Sequence, residues 1–329
     1  SINSIHFTEL PNVAPMYYMV QKDFKTKKEY EQGVLVSNLF PLNNVGVLTA
    51  RDNFTVRFNR EDVEITIDTF LSLDDEKARS KFNLGKDVRD WKVSYAKKDL
   101  NDYYPDKGSF TKFSYRPFDS RWTYFTGKSK GFHCYPRTDV MQHYVLGENI
   151  GLILEKIMMN KKNDYRDVFI TNSSYDAHLI GSASYSFPLY LYPKYTSQQS
   201  LNHETEETAN STLGRTPNLN KKIVQQIAKK LHLEFVPDHE LLKQVQHDKY
   251  FTPLDLLDYI YAVLHSPNYR EAYKEFLKID FPRVPYPKDR ETFWQLVKLG
   301  SEIRRLHLLE SSTLDNYITS YPVSGNNEI

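Results

Sequence analysis

Phe110-Thr111-Lys112-Phe113-Ser114-Tyr115-Arg116-Pro117-Phe118-Asp119-Ser120-Arg121-Trp122-Thr123-Tyr124-Phe125 is the stretch on which the fold reading turns. Its aromatic residues suit a pleated, half-buried surface. Phe110 to Phe118 and Arg121 to Phe125 therefore read as two strands, separated by the turn-prone pair Asp119-Ser120. Upstream, Val34-Leu35-Val36 and Val45 to Leu48 read as short strands, and Phe54 to Phe58 alternates as a half-buried strand does. Glu61 to Leu73 and Asp74 to Phe82 read as helices, the second opened by acidic residues that suit the positive end of a helix dipole. Downstream, Thr138 is placed to cap a short helix through Met141 to Val145. Ile150 to Met158 fits either a strand or a buried helix, while Val168 to Thr171 and Phe187 to Tyr192 read as strands. Helices interrupt strands without a βαβ alternation, so the expected class is α+β: a mixed domain over residues 1–195, followed by a mainly helical one.

The change comes at 196–217, a polar run of Ser, Thr, Asn, Gln and Glu that reads as a linker. Beyond it, over 218–329, helices dominate. Ile223, Ile227 and Leu231 share one face. Thr252-Pro253 and Ser266-Pro267 each set a capping residue before a proline at the first helical position. Phe281-Pro282-Arg283-Val284-Pro285 must be extended. A longer helix runs from about Arg290 to Leu309, and the tail after Leu314 reads as loose.

Composition narrows the class. A 329-residue chain buries enough surface to fold without staples, and its single cysteine, Cys134, excludes a disulfide framework and any multi-cysteine zinc site. No apolar run approaches the roughly 20 residues needed to span a bilayer, and no signal peptide opens the chain, so a cytoplasmic protein is expected. Ser1 in place of an initiator methionine reads as a chain excised from a longer polypeptide. The net charge is only +1, yet Lys107 to Arg137 holds seven Lys or Arg residues against one acid, Asp119, and nine aromatics. Such a basic, aromatic stretch in a neutral chain is compatible with a nucleic-acid surface; a solvated loop over core aromatics is the plainer alternative.

Catalytic motifs are missing. Gly127-Lys128-Ser129 resembles the end of a phosphate-binding loop, but Trp122 stands where the leading glycine belongs. No two glycines lie one residue apart, which removes a dinucleotide fingerprint. His133, Cys134 and His143 lack paired zinc-ligand spacing, and no elbow motif singles out a nucleophile. What remains is Tyr115 to Arg121, where Arg116 and Arg121 flank a Pro-Phe-Asp turn. Each guanidinium could offer a planar fork to phosphate or guanine, with Asp119 orienting one of them, or both could simply lock the turn.

The sequence resembles the C-terminal target-recognition region of type ISP and type IIG restriction-modification enzymes, large adenine-N6 DNA methyltransferases. The blocks that carry this resemblance are Gly46 to Asp52, Tyr115 to Arg121, Phe187 to Pro193, Tyr259 to Pro267, Tyr269-Arg270, Phe281 to Pro285 and Leu306 to Leu309. They occur in the family's order over about residues 30–310. The family's methyltransferase core precedes this region and carries a glycine-containing cofactor loop and an Asn/Asp-Pro-Pro-Tyr/Phe tetrapeptide. Neither is present here, since the chain has no Pro-Pro pair.

The resemblance implies a module that recognises a sequence in double-stranded DNA and has no catalytic residue, metal or cofactor of its own. S-adenosylmethionine would bind the missing core. The implied partners are double-stranded DNA, that core, and helicase or nuclease domains of the same polypeptide. Blocks shared by relatives of different specificity cannot be the base readers. Thr49, Arg51, Tyr115, Arg116 and Arg121 are therefore assigned to backbone gripping, scaffold or the surface facing the core. Lys128, Lys130 and Arg137, within Lys128 to Arg137, and the segment Asn172 to Ser186 are the candidates for reading bases. The helical part would act as a clamp or spacer. Two alternatives remain: a protein-interaction module docking on an acidic partner, and a hydrolase of unrecognised type. Without the cofactor loop and tetrapeptide, the chain should show no heat of S-adenosylmethionine binding in a calorimetric titration. A micromolar dissociation constant would overturn this assignment.

Overall fold

The computed structural model of the chain describes Leu10 and residues 25–156, 168–193, 214–237 and 249–320. Two four-stranded sheets organise the first part. In one, the strand order is Asn44–Val45, Ser184–Pro188, Gly151–Glu155, Val168–Thr171, antiparallel throughout. In the other it is Val56–Arg57, Asp119–Phe125, Ser109–Arg116, Ser174–Tyr175, the last pair parallel. Ambiguity over Ile150 to Met158 resolves as a strand, Gly151–Glu155, because it is paired on both sides and buried at every residue. Helices intersperse both sheets, as expected for an α+β chain.

Three local readings change. The hairpin turn is at Pro117-Phe118, not Asp119-Ser120. Phe118 takes a left-handed conformation with φ 64°, and Asp119 already pairs with Arg116. Proline's fixed φ suits a turn corner, and Asp119 is drawn into the strand by its ion pair with Arg121. Asp52–Thr55 is a short helix, leaving only Val56–Arg57 as strand, because Arg51 carbonyl oxygen accepts from the Phe54 and Thr55 amides. Thr138 does not cap its helix: its hydroxyl donates to Gly127 carbonyl at 2.7 Å, and Arg137 precedes the helix in a left-handed conformation. Both cap-and-proline signals, at Thr252 and Ser266, are realised. Thr252 and Asp255 form a reciprocal capping box, and Asp74, Ser266 and Asp289 each accept a backbone N–H of their helix.

The largest core cluster joins Leu152, Ile170 and Phe187 of the first sheet to Ile227, Leu257, Tyr261 and Phe293 of the helical part. The extended Pro-rich segment returns to the start of the chain, where Val34–Leu35 pairs with Arg283–Val284. Thr216–Pro217 pairs with Tyr190–Leu191. The helices after residue 217 thus share a core with the sheet. Residues 194–213, most of that polar run, and the last nine residues of the tail lie outside the described residues. A second cluster of Phe54, Phe70, Trp91 and Phe132 lies under the helices Arg60–Ser72 and Val93–Tyr103. A third takes Phe113 and Phe125 from one sheet and Ile153 and Phe169 from the other.

Helices Pro253–His265 and Arg290–His307 meet at a buried ion pair. Arg304 Nε and Nη2 donate to the two Asp258 carboxylate oxygens at 2.7 and 3.0 Å. Gly300 lets the backbones approach, since a Cβ there would fall 1.8 Å from the Asp258 carbonyl oxygen. Burial raises the Asp258 carboxyl, and Arg304 pulls it back. Arg304→Ala leaves that carboxylate buried and unpaired, so urea denaturation should show a loss of about 3–5 kcal/mol, most of it recovered by an Asp258→Leu/Arg304→Met pair. A loss under about 1 kcal/mol would mean that water reaches the pair.

Candidate nucleic-acid interface

Strand Ser109–Arg116, the Pro117-Phe118 turn and strand Asp119–Phe125 set Tyr115, Arg116 and Arg121 side by side. Their planes stack. The Arg116 and Arg121 guanidinium carbons lie 4.0 and 4.2 Å from the Tyr115 ring centre, and Arg121 also covers Phe58 at 4.5 Å. Phe58 is 54% exposed. Cation–π contact of this kind fixes each guanidinium plane at little conformational cost.

Three carboxylates hold the stack. Asp119 accepts from Arg121 Nε at 2.9 Å and Nη2 at 2.7 Å, which closes the fork of that arginine. Asp52 accepts the Tyr115 hydroxyl at 3.0 Å and also the Thr49 hydroxyl. Burial and Asp52 together push the Tyr115 phenol up. Asp176, buried at 4% side-chain exposure, accepts from Arg116 Nη1 at 2.9 Å. Asp119 is legible beside Arg121 in the sequence, whereas Asp52 and Asp176 are brought to the stack only by the fold.

The remaining shared-block residues are engaged inward. Thr49 is 1% exposed. Arg51 donates to the carbonyls of Leu84, Ala50 and Lys86 at 2.6, 2.7 and 3.0 Å, and lies over the Trp91 ring at 4.6 Å. Arg51, Asp52, Asn83 and Tyr115 are among the residues lining an open cleft of about 340 Å³ beside the stack.

Lys128, Lys130 and Arg137 stand apart on the segment that follows strand Asp119–Phe125. That segment is anchored from below. Asp99 Oδ2 accepts the Phe132 amide at 2.7 Å and the Thr126 hydroxyl at 2.8 Å, while Trp91 Nε1 donates to Phe132 carbonyl at 3.2 Å. Lys128 is exposed at the tip. Lys130, left-handed at φ 59°, pairs with Asp90 at 3.0 Å. Arg89 and Lys130 together hold the Asp90 carboxyl well below the usual range. Arg137 lies 5.1 Å over the Tyr135 ring, and its Nε is buried without a hydrogen-bond partner among the described residues. Of the other candidate segment, Asn172, His178 and Ser182 are exposed, whereas Ser173, Ser174, Asp176, Ser184 and Ser186 are buried. Among the described residues no three His, Cys, Asp or Glu side chains converge on a metal site, and no helix is long and apolar enough to cross a membrane.

This architecture is shared with large restriction-modification enzymes. The "ATP-dependent Type ISP restriction-modification enzyme LlaBIII bound to DNA" superposes with a TM-score of 0.57 at 19% identity, over 88% of this chain and 17% of that one. The DrdV–DNA complex gives 0.59 at 20% identity, over 93% and 28%. A nuclease-deletion mutant of the Type ISP enzyme LlaGI with a DNA substrate mimic gives 0.53 at 19%, over 88% and 20%. The chain thus corresponds to less than a third of each. By sequence it belongs to the Type ISP C-terminal specificity domain family, whose profile matches residues 38–329. No curated protein matches it.

His133 ties the basic segment to the second sheet. The Thr123 hydroxyl donates to Thr55 carbonyl at 2.7 Å, so its oxygen must accept from His133 Nε2–H at 2.9 Å. That leaves Nδ1 unprotonated, and it is buried without a partner among the described residues. Burial lowers His133 from 6.5 to about 4. The unfolded chain therefore takes up a proton that the native state refuses. This contribution is complete above about pH 6.5 and is lost as pH falls toward 4. The gap corresponds to ~3 kcal/mol. Buried Asp99, Asp176 and Asp258, raised by burial, act in the opposite sense. The comparison of thermal melts for wild type and His133→Gln between pH 7 and 4.5 isolates the histidine. The wild type should lose more stability on acidification; parallel curves would refute the assignment.

Proposed function

We propose that this chain reads a sequence in double-stranded DNA on behalf of an adenine-specific methyltransferase within a restriction-modification enzyme. One observation carries the reading: the chain matches a specificity-domain family over residues 38–329. The DNA-bound state of the similar structures and the basic, aromatic hairpin of this chain support it. The enzyme's other activities would belong to parts of the polypeptide to which this chain does not correspond. There the target adenine would be turned out of the stack beside S-adenosylmethionine, and helicase or nuclease domains would be further partners. The residues present here do not fit that cofactor, since neither a glycine-containing loop of the required kind nor a Pro-Pro pair exists. Cytoplasmic location goes with this reading.

The physics assigns two roles. Lys128 at an anchored loop tip is placed to approach a groove, with Ser129 and Lys130 beside it. Thr49, Arg51, Tyr115 and Arg121, whose polar groups are taken up by protein partners, would serve as scaffold. Fluorescence anisotropy with a panel of duplexes at several salt concentrations tests the proposal. Binding should fall linearly in log–log form, with a slope of about −0.9 per phosphate neutralised, and one duplex should be preferred. Absence of duplex binding at low salt, or affinity insensitive to salt, would defeat it.

A further inference from the structure

Arg116, Asp176 and His178 form a cluster at the edge of the stack. Arg51, Arg121 and Arg304 each direct both Nε and Nη2 at protein oxygens. Arg116 does not. Its Nη1 donates to Tyr115 carbonyl at 2.5 Å and to Asp176 Oδ1 at 2.9 Å, whereas its Nε and Nη2 bond to no described residue. The Nε–Nη2 edge carries two parallel N–H groups and can meet two oxygens at once. Here it belongs to a guanidinium whose plane is fixed on Tyr115 and whose side chain is 40% exposed.

His178 comes to the same carboxylate from another segment. Its amide donates to Asp176 Oδ1 at 2.8 Å, its Nδ1 lies 3.5 Å from that oxygen, and its ring is half exposed. The Asp176 side chain is buried, and its backbone is held from two sides. Its amide donates to Ser114 carbonyl at 3.1 Å, and Val47 bridges to it from the other side. Gly46 permits that closeness, because a Cβ there would lie 2.7 Å from the Asp176 carbonyl. The carboxylate is therefore covered, while the Arg116 guanidinium and the His178 ring beside it are exposed.

We infer that Arg116 and His178, both positioned by Asp176, form a clamp for one phosphodiester group of the DNA backbone. This rests on the DNA-reading assignment above and adds to it a site, a ligand group and a positioning residue. A phosphate presents two oxygens to the open Arg116 edge and accepts a third bond from His178. A contact of this kind fixes register without reading sequence.

Anisotropy with cognate and scrambled duplexes at two salt concentrations is the test, on wild type, Arg116→Gln, Arg116→Lys and His178→Ala, with circular dichroism confirming the fold. Arg116→Gln should weaken binding to every duplex by the same factor and reduce the salt slope by about one. Arg116→Lys should restore the slope but not the full affinity, because the fork is gone. His178→Ala, at an exposed position, should give a smaller loss that is also independent of sequence. If Arg116→Gln relaxes preference at one base pair, the fork reads a base and the phosphate assignment falls. If folded Arg116→Gln and His178→Ala bind as wild type does, the clamp does not exist, although the chain still reads DNA. If wild type binds no duplex, the underlying reading fails first. Should Arg116→Gln not fold, the His178→Ala result decides alone.

Discussion

The chain's two sheets are held to one another by a four-residue segment, Ser174 to Ala177. Ser174–Tyr175 lies parallel to Phe113 and Ser114 in one sheet. The Val47 amide donates to Tyr175 carbonyl at 2.8 Å and Ala177 donates back to Val47 at 2.9 Å, which ties the segment to the chain leaving the other sheet. The Tyr175 hydroxyl, fully buried, reaches Asn44 and Ser184 carbonyls at 3.0 and 3.1 Å. A buried phenol with two carbonyl partners near it is costly to misplace, because either oxygen would lose its bond in a dry interior. The Arg116 end of the arginine–tyrosine stack depends on this crossing, since Asp176, the next residue along it, accepts from Arg116.

Electrostatics then separates cations of similar appearance. Tyr115 to Arg121 contains two arginines five residues apart, and the sequence alone leaves them equivalent. In the fold, Asp119 closes the fork of Arg121, while Asp176 takes only one nitrogen of Arg116. Both arginines share the Tyr115 ring, which restricts their rotamers. A side chain already fixed before it meets a ligand avoids ordering costs of about 0.5–1.5 kcal/mol on binding. An open, fixed fork and a closed one therefore differ more in binding than their similar surroundings suggest.

Much of the architecture was legible because it rests on local chemistry. The capping box Thr252–Asp255, the Ser266-Pro267 helix start and the Asp74 cap are written into consecutive residues. So is the strand character of Val168–Thr171. The misplaced features depend on partners distant in sequence. Asp119-Ser120 looks like a turn until Arg121 draws Asp119 into the ladder. Thr138 looks like a cap until the Gly127 carbonyl, eleven residues away, takes its hydroxyl. The packing of Ile227 and Phe293 with Leu152 and Phe187 likewise joins residues distant in sequence, which composition does not show. Of the candidate site, the basic hairpin was legible, while Asp52, Asp176 and His178 lie up to 63 residues from the groups they hold.

The anchored loop shows why rigidity and specificity go together in this fold. Lys128 and Lys130 are long and flexible, and an unsupported loop would let them follow any phosphate. Here the loop's backbone is fixed by Asp99 on helix Val93–Tyr103, by Trp91 and by His133. Each of these anchors is buried, so water does not compete for the bonds that hold the loop. Lys130 is further restrained by Asp90, and its positive φ turns the chain sharply at the tip. A cation presented in one position can reject a duplex in which the facing groove atom is wrong, whereas a mobile one adapts and discriminates less. On the proposed reading, sequence choice would be set as much by the buried Asp99, Trp91 and His133 as by the lysines above them.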